Sequence, residues 1–466
     1  MILPRAGGAA PPPRGPSAQL ALGLLDAAFL GLAWPLLALA AGVTAGALAP
    51  LVLHPLAFLA FLFALGLYRS DMMRGSRRAA ARIVLAALFG AALVELLLLP
   101  VTAGDGLAAS RFVAAIAAGV SAAAAARIVL GALRRRGLFR RRLLIVGEGQ
   151  QAAEIVLLLR REGQTLAYDI ALSQDPALGA PNPALAEDPE VTRLPWSADL
   201  RDLAQRWRAE EIVVATDERR GLPMQALLDC RTVGLLVTER ARFFERELGR
   251  LDMKRLDLAW LVYADGFRRS PIEVAAKRAM DITIAGALLL LTAPFLLLAA
   301  ALIRLQDGGP ALYTQLRVTE GGRAFPILKL RTMTVNAERG GAAWAKAGDP
   351  RVTPLGRLLR RTRVDELPQL LNVLRGEMSF VGPRPERPEF VEHLAAELPL
   401  YRERHLMKAG LTGWAQINYP YGASLDDARS KLSYDLHYVK NFSLLLDVKI
   451  ILQTLRVVLF PGGGAR

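Results

Sequence analysis

Residues 280–303, MDITIAGALLLLTAPFLLLAAALI, form the apolar stretch that decides how this chain is built. The stretch is long enough to cross a hydrocarbon core, which takes about 20 helical residues. Cations flank it on both sides, with Lys277 and Arg278 before it and Arg304 after it. Pro294 interrupts it, and a proline lacks an N–H and clashes with the carbonyl four residues earlier. A bend near Pro294 is therefore expected.

The spacing of this stretch favours a helix that enters the membrane and returns. From Asp281 to Pro294 the helix covers only about 20 Å, short of the roughly 30 Å of a hydrocarbon core. We predict a re-entrant helix–break–helix over about residues 278–304, with both ends on the same side. Thr292 is then available to hydrogen-bond a carbonyl freed by the break. The alternative is a fifth, kinked spanning helix, which carries residues 305–466 to the opposite side.

Four further apolar runs precede this stretch and predict four transmembrane helices within residues 18–136. Their limits are 20–41, 51–67, 83–101 and 112–132. The first connection has no charged residue, whereas the second carries five arginines and the segment after the fourth run six. Positive charge marks the cytoplasmic side, so the N-terminus, the second connection and everything after the fourth run are predicted there. Inside the runs, Asp26, Glu95 and Arg127 are expected to face neighbouring helices or to snorkel toward an interface, with a relay or ligand role as the alternative.

The composition agrees with a membrane protein and excludes several classes. The 466 residues are 53% hydrophobic and 22% charged, which rules out a disordered scaffold and is unusual for a soluble enzyme. The net charge of +15 fits nucleic acid, anionic lipid or phosphorylated substrates as partners. A single cysteine, Cys230, excludes an internal disulfide and a cysteine-cluster metal site. Residues 1–17, rich in proline, glycine and alanine, are expected to be a flexible tail.

A Rossmann-like α/β domain is predicted over residues 137–265. A buried strand at 141–146 leads into Gly147 and Gly149, a glycine turn like those that bring a phosphate to a helix N-terminus. Further strands are expected at 211–215 and 233–238. Neither tyrosine of this region is followed by a lysine four residues later, which argues against an active epimerase or dehydrogenase. The domain then either senses a nucleotide or keeps a degenerate fold.

The residues that carry chemistry lie after the re-entrant stretch. Asp365 and Glu366 stand side by side just after Arg360, Arg361 and Arg363. Neighbours on a helix point about 100° apart, so the two carboxylates are expected to have different roles. One can attack a phosphorus while the other holds Mg²⁺, with Mn²⁺ as a substitute, because such ions prefer oxygen ligands. Two anions approach each other only if cations neutralise the phosphate oxygens.

Three other segments carry cations in glycine- or proline-rich turns and are candidate phosphate-binding elements. They are residues 325–333, with Lys329 and Arg331, residues 381–386, with Arg384, and residues 408–418. Each one alone is more often a solvated cation in a rigid turn. Their presence together in one C-terminal region favours a phosphate site.

These ordered segments, with residues 307–310 and 431–441, closely resemble the bacterial sugar transferases, also called polyprenyl-phosphate glycosyl-1-phosphate transferases. Together with the four spans and the α/β insert, the chain is similar to their long-form, exopolysaccharide-type members. The resemblance implies a membrane α plus α/β fold whose α-rich catalytic domain, residues 266–466, is anchored by the re-entrant helix. It also implies transfer of a sugar 1-phosphate from a UDP-sugar to undecaprenyl phosphate with Mg²⁺, releasing UMP.

The resemblance assigns roles residue by residue. Asp365 matches the nucleophile, and Glu366 matches the metal-associated acid. Basic positions of the phosphate-binding motifs fall on Lys329, Arg331, Arg360 and Arg384. The cationic start of the membrane helix falls on Lys277 and Arg278, and its break falls on Pro294. Two departures, Ala409 and the segment 419–424, leave the identity of the sugar open.

The family implies a multi-pass protein of the bacterial inner membrane with its catalytic domain in the cytoplasm, and self-association is left open. Three alternatives remain. The first is direct transfer in a ternary complex, with Asp365 as base or metal ligand. The second is a catalytically silent, nucleotide-sensing regulator of polysaccharide assembly. The third is a nucleic-acid binder, which the absence of any recognition motif makes the weakest.

Overall fold

The structure is a computed structural model, and it describes two compact units, Met1–Glu247 and Leu248–Arg466. The described residues are 17–460 except 43–47, 70–71, 74–76, 103–107, 162–166, 179, 187, 219–221, 254–265, 268, 336, 338–348, 421 and 423. The predicted tail therefore lies outside them apart from Ser17, which caps the first helix through its side chain. The domain limits drawn from the sequence stay predictions.

All four N-terminal runs form helices. They are α1 (Ala18–Ala40), α2 (Leu48–Ala64), α3 (Arg77–Thr102) and α4 (Ala108–Arg135). By length and apolar composition, α1, α3 and α4 can cross a membrane, whereas α2, with 17 residues, is shorter. A 17-residue helix spans about 25 Å, somewhat less than the hydrocarbon core.

Asp26, Glu95 and Arg127 face neighbouring helices, as expected, and the structure further shows that each is paired with an opposite charge. Arg127 of α4 lies 3.0 Å from Asp26 of α1, and Arg111 of α4 lies 3.0 Å from Glu95 of α3. His54 of α2 also approaches Glu95, with 3.4 Å between its Nε2 and the nearer carboxylate oxygen. Isolated charges are expensive in hydrocarbon, so mutual pairing is the arrangement that such helices require.

The rest of the first unit contains a parallel sheet with helices between its strands. The strands are β1 (Arg141–Val146), β2 (Tyr168–Ser173), β3 (Val191–Arg193), β4 (Glu211–Val214) and β5 (Leu236–Glu239), in the order β3-β2-β1-β4-β5. The helices are α5 (Gln150–Arg161), α6 (Pro183–Ala186), α7 (Leu200–Trp207), α8 (Met224–Thr232) and α9 (Arg240–Leu248). This strand order is that of the first five strands of dinucleotide-binding folds. The sequence predicts β1, β4 and most of β5, and misses β2 and β3.

The second unit is mainly helical. It begins with α10 (Pro271–Asp307), followed by the antiparallel strands β6 (Leu312–Val318) and β7 (Ala324–Leu330). Its other helices are α11 (Pro354–Thr362), α12 (Gln369–Arg375), α13 (Pro388–Glu397), α14 (Trp414–Asn418), α15 (Leu425–Lys440) and α16 (Leu444–Leu459). A short parallel pair, β8 (Ser379–Val381) and β9 (Gly410–Thr412), lies in the core.

The apolar stretch forms one continuous helix rather than two. Helix α10 has 37 residues, begins with a capping box between Ser270 and Glu273, and ends at Gly308 in the left-handed conformation. Pro294 lies inside it without ending it. Thr292 donates to the Leu288 carbonyl at 2.7 Å, whereas the carbonyl that Pro294 leaves without its usual N–H is that of Leu290. The predicted division into two helices is therefore not present, because the flanking residues keep their helical hydrogen bonds.

Both ends of α10 are attached to the same unit. Near its start, Lys277 binds Asp447 at 2.6 Å, Arg278 donates to the Val373 and Leu374 carbonyls, and Asp281 accepts from Ser379 and the Phe380 N–H. Near its end, Ala299 and Ile303 pack against Leu330 and Leu359. Between these attachments, large apolar side chains are exposed: Leu290, Leu291, Phe295, Leu297 and Leu298.

Candidate active site

The adjacent carboxylates lie on a tight turn between two helices. Helix α11 ends at Arg363, whose φ of +60° reverses the chain into a 3-10 turn, Val364–Glu366. The short α12 follows. A non-glycine residue with positive φ is uncommon, and here it is the point at which the chain changes direction. The turn lets Asp365 and Glu366 enter different surroundings.

Asp365 is buried, and one of its oxygens has no partner among the described residues. The residue is only 8% exposed, and its buried Oδ1 makes no hydrogen bond within the described part of the chain. Burial raises the pKa of Asp365 to about 6, and the negative charge of Glu366 adds to the rise, while Lys329, Arg360 and Arg363 oppose it. A carboxylate of higher pKa is a stronger base and nucleophile, and an oxygen without a donor keeps its lone pairs free.

Glu366 has the opposite environment. Its Oε1 lies 2.7 Å from Arg384 and 3.3 Å from Lys329, with Arg363 at 3.7 Å. Burial favours the neutral form, but the charges of Arg384 and Lys329 outweigh it and hold the pKa of Glu366 well below its usual range. Glu366 is therefore an anion that holds cations next to Asp365.

Lys329 reaches this cluster from β7, near the open end of the β6–β7 hairpin. Its strand is fixed by Asn372, which accepts from the Leu328 N–H and donates to the Pro326 carbonyl. Asn372 is fully buried, so β7 cannot shift without breaking these bonds. Burial lowers the pKa of Lys329 and Glu366 opposes the fall. The ammonium thus occupies a fixed place beside both carboxylates.

The structure brings together most of the residues predicted from the sequence. Arg360 donates to Thr332 at 2.8 Å and lies close enough to Asp365 for its charge to lower that pKa. Arg331 lies elsewhere, since its guanidinium pairs with Asp307 and faces the last turn of α10. A phosphate-binding role for Arg331 stays a prediction, and the contact that the structure shows is with the helix end.

A buried pair behind Arg384 was not anticipated from the sequence. Arg404 lies 2.7 Å from Asp435, and the same guanidinium donates to the Arg384 carbonyl at 3.0 Å. Both residues of the pair are almost completely buried. The pair fixes the backbone that carries Arg384. Asp435 falls within a motif segment, but a lone arginine 31 positions earlier gives no sequence signal of pairing.

The carboxylates suit a metal only in combination with a substrate. Among the described residues, no group of three or more His, Cys, Asp or Glu side chains forms a metal site. Mg²⁺ is commonly held by one or two carboxylates together with substrate phosphates and water. Glu366, held ionised beside Asp365, is the carboxylate that fits such a shared site.

The glycine turn of the first unit is already filled by a side chain. The Asp217 carboxylate accepts from the Gln150 and Gln151 N–H groups at 2.7 and 2.9 Å, at the N-terminus of α5. A Cβ on Gly149 would lie 2.0 Å from this carboxylate. A nucleotide phosphate at Gly147 and Gly149 would have to displace Asp217, because both anions use the same donors.

Comparison with known proteins agrees with this site. Residues 272–461 match the family model described as bacterial sugar transferase, a range that contains the carboxylates and every cation around them. One relative, the exopolysaccharide production protein PSS of Rhizobium leguminosarum bv. phaseoli, is 42% identical over 199 residues, 41% of this chain and 100% of that protein. The chain therefore belongs to the bacterial sugar transferase family.

Two other relatives carry more specific names. UDP-N-acetylgalactosamine-undecaprenyl-phosphate N-acetylgalactosaminephosphotransferase of Aeromonas hydrophila is 47% identical over 197 residues, 42% of this chain and 46% of that protein. UDP-glucose:undecaprenyl-phosphate glucose-1-phosphate transferase of Caulobacter vibrioides is 46% identical over 180 residues, 38% of this chain and 67% of that protein. The chain thus matches less than half the length of the Aeromonas relative.

Proposed function

We propose that this protein transfers a sugar 1-phosphate from a UDP-sugar to undecaprenyl phosphate, as an initiating step of exopolysaccharide synthesis. Family membership supports the reaction class, and the names of the Aeromonas and Caulobacter relatives support the donor and acceptor. The observation that carries the proposal is the state of Asp365: buried, with a free Oδ1 and a raised pKa, inside a ring of cations.

The arrangement supports a two-step transfer through Asp365. In the first step, Oδ1 attacks the sugar-linked phosphorus, the bond from that phosphorus to the bridging oxygen breaks, and UMP leaves with the bridging oxygen. In the second step, a phosphate oxygen of the lipid attacks the same phosphorus and displaces Asp365. No proton moves in either displacement, so the Asp365 carboxylate has to be ionised at the start.

The cations make this approach of anions feasible. Lys329, Arg384 and Arg363 surround Glu366, and Arg360 lies near Asp365. Fixed positive charges in a buried site stabilise charge that develops on phosphoryl oxygens without further reorganisation. Mg²⁺, held by Glu366 and the donor diphosphate, would neutralise the phosphate oxygens further.

Helix α10 supports a re-entrant attachment to the membrane. Its start and its end both bind the second unit, and the part between them exposes the large apolar side chains Leu290, Leu291, Phe295, Leu297 and Leu298. A helix that crossed about 30 Å of hydrocarbon would separate these two attachments. We therefore propose that both ends of α10 and the catalytic residues lie in the cytoplasm, at the inner membrane.

The decisive experiment follows the covalent intermediate. Purified protein is incubated with UDP-sugars labelled in the sugar, without lipid, and denatured protein is tested for bound label. We expect retained label and one equivalent of UMP from the native chain with at least one donor. Asp365→Asn should retain none. Asp307→Asn, which alters an acidic side chain at the end of α10, is the matched control.

Kinetics separate the alternatives. Parallel lines in initial-rate plots support the two-step path, whereas intersecting lines and no label on the protein indicate direct transfer in a ternary complex. Absence of UMP release with every donor, in the presence of Mg²⁺ and undecaprenyl phosphate, would favour a silent regulator. Chelation of divalent ions is expected to abolish UMP release, and added Mg²⁺ should restore it.

A further inference from the structure

A row of polar side chains continues from Lys329 along the neighbouring strand. In the β6–β7 hairpin, Tyr313 is paired with Lys329 and Gln315 with Ile327, so that Tyr313, Gln315 and Arg317 alternate along β6 on the face that carries Lys329. All three are partly buried, whereas the intervening Leu312, Thr314 and Leu316 are exposed.

The row is held together by hydrogen bonds. The Gln315 amide donates to the Tyr313 hydroxyl at 2.8 Å, and Arg317 donates to the Gln315 amide oxygen at 2.7 Å. Arg317 also donates to the Pro385 carbonyl at 3.1 Å. Since Pro385 follows Arg384, the row joins the loop that supplies a cation to Glu366. The row is therefore connected through this loop to the cations around the carboxylates.

The position of Tyr313 and Gln315 relative to Lys329 indicates which part of the donor these two side chains can contact. Directly paired residues of an antiparallel hairpin lie about 5 Å apart, and diagonal neighbours about 7 to 8 Å. Tyr313 and Gln315 are thus close to Lys329, which marks the phosphoryl site. In a nucleotide sugar, the sugar ring is joined through one oxygen to the phosphorus that is attacked. The uracil is separated from that phosphorus by a second phosphate and a ribose.

The chemistry of the Tyr313 and Gln315 side chains also favours contact with the sugar ring. A phenol and an amide offer neutral donors and acceptors, which suit ring hydroxyl or acetamido groups, whereas phosphates are bound by cations. The Arg317 guanidinium already donates to the Gln315 amide oxygen and the Pro385 carbonyl. Its role is therefore to orient Gln315 rather than to bind a ligand. We propose that Tyr313 and Gln315 bind the sugar ring of the donor, with Arg317 as a positioning residue. This inference rests on the proposed function.

The test compares two ligands that share the nucleotide but not the sugar. UMP release from UDP-glucose, UDP-galactose and their N-acetylated forms is measured for the full chain and for Tyr313→Phe, Gln315→Ala and Arg317→Met. Inhibition by UMP is measured in parallel. Thr314→Val, on the opposite face of the same strand, is the matched control and should behave as the native chain.

We expect kcat/KM for the preferred donor to fall about 10-fold to 100-fold in Tyr313→Phe and Gln315→Ala, the loss of one or two hydrogen bonds to substrate. The inhibition constant of UMP should stay within about 2-fold of the native value in the same variants. Arg317→Met should reproduce the Gln315→Ala change in donor preference, and Arg317→Lys should restore part of it.

Two results would overturn the inference while leaving the reaction intact. If UMP inhibition weakens in parallel with donor use, the row contacts the nucleotide. If all row variants match Thr314→Val, the row is structural. A native chain that releases no UMP from any donor would instead remove the proposed function itself, and the inference with it.

Discussion

At the scale of single residues, two neighbouring carboxylates differ because their neighbours differ. Asp365 is buried with a free oxygen, and Glu366, next in the chain, is surrounded by Arg384, Lys329 and Arg363. The same physical effect, burial, raises the pKa of both, but only at Glu366 do the cations outweigh it. The pKa of one carboxyl group is therefore raised and that of the other is lowered, which supports different roles for the two in the proposed transfer.

The pH dependence of the first half-reaction should show the Asp365 pKa. Only the ionised carboxylate attacks, so the single-turnover rate without lipid is expected to fall about tenfold per unit below pH 6. The lipid is omitted because a phosphate monoester itself titrates near pH 6. A rate that stays level down to pH 5 would contradict the raised pKa.

Stability should respond in opposite directions to two isosteric changes. The pKa of Asp365 rises from 3.8 to about 6 on folding, so folding disfavours its ionised form, and that cost is present above pH 6. Asp365→Asn should raise the unfolding temperature at pH 7.5, by up to about 3 kcal/mol in the free energy of unfolding. The Glu366 pKa is lowered, so its ionised form stabilises the fold above its usual pKa.

Glu366→Gln should accordingly lower the unfolding temperature at pH 7.5, by about 2 to 3 kcal/mol, because Lys329 and Arg384 lose their counter-charge. Thermal unfolding in detergent, read by tryptophan fluorescence, compares the two variants with the native chain. Equal shifts of the same sign would show that the two carboxylates do not have opposite environments.

At the scale of elements, the sequence pattern of α10 leaves undecided whether the helix crosses the membrane or returns to the same side. Its length and composition allow a crossing, yet its two ends bind the same unit. Pro294 lies inside the helix without dividing it, so re-entry depends on the depth and tilt of one helix rather than on a turn between two.

Labelling from the two sides of the membrane tests this topology. Ile272→Cys and Gln306→Cys place thiols at exposed positions near the two ends of α10, in a chain whose own Cys230 is buried. A membrane-impermeant maleimide should label both sites in inside-out vesicles and neither in intact spheroplasts. Labelling of Gln306→Cys from the outside would demonstrate a spanning helix.

At the scale of the whole molecule, the family match lies within the second unit. The family match covers residues 272–461, and the Rhizobium relative is matched over its entire length by 199 residues of this chain. The unit itself begins slightly earlier, because the Gly249 carbonyl accepts from Trp414 and the Leu251 N–H donates to Ser433.

A chain of residues 248–466 should therefore keep the activity. We expect UMP release within about 3-fold of the full chain, since every described cation around the carboxylates is retained. A chain that starts at residue 266 serves as the comparison and should be less stable, because Trp414 loses its acceptor. Loss of activity in a folded 248–466 chain would show that the first unit contributes to catalysis.

The sequence by itself determined the features that depend on residues close together in the chain. The four N-terminal helices, the strand before Gly147 and the adjacent carboxylates are visible because apolar periodicity and side-chain chemistry depend on neighbours in the chain. That Asp26 and Arg127 face neighbouring helices was also expected, but their pairing with each other is seen only in the structure. Strand β3 escaped because its three residues carry little pattern, and β2 because Asp169 and Ser173 shorten its apolar run although the strand is largely buried.

Only the tertiary structure decided which side chains, distant in the chain, contact one another. It separated Arg331 from the carboxylates, filled the glycine turn with Asp217, and placed Arg404 behind Arg384. It also gave Asp365 and Glu366 opposite pKa shifts, although both are acids at consecutive positions. Burial and charge act through space, over a few ångströms, between residues that the chain order leaves far apart.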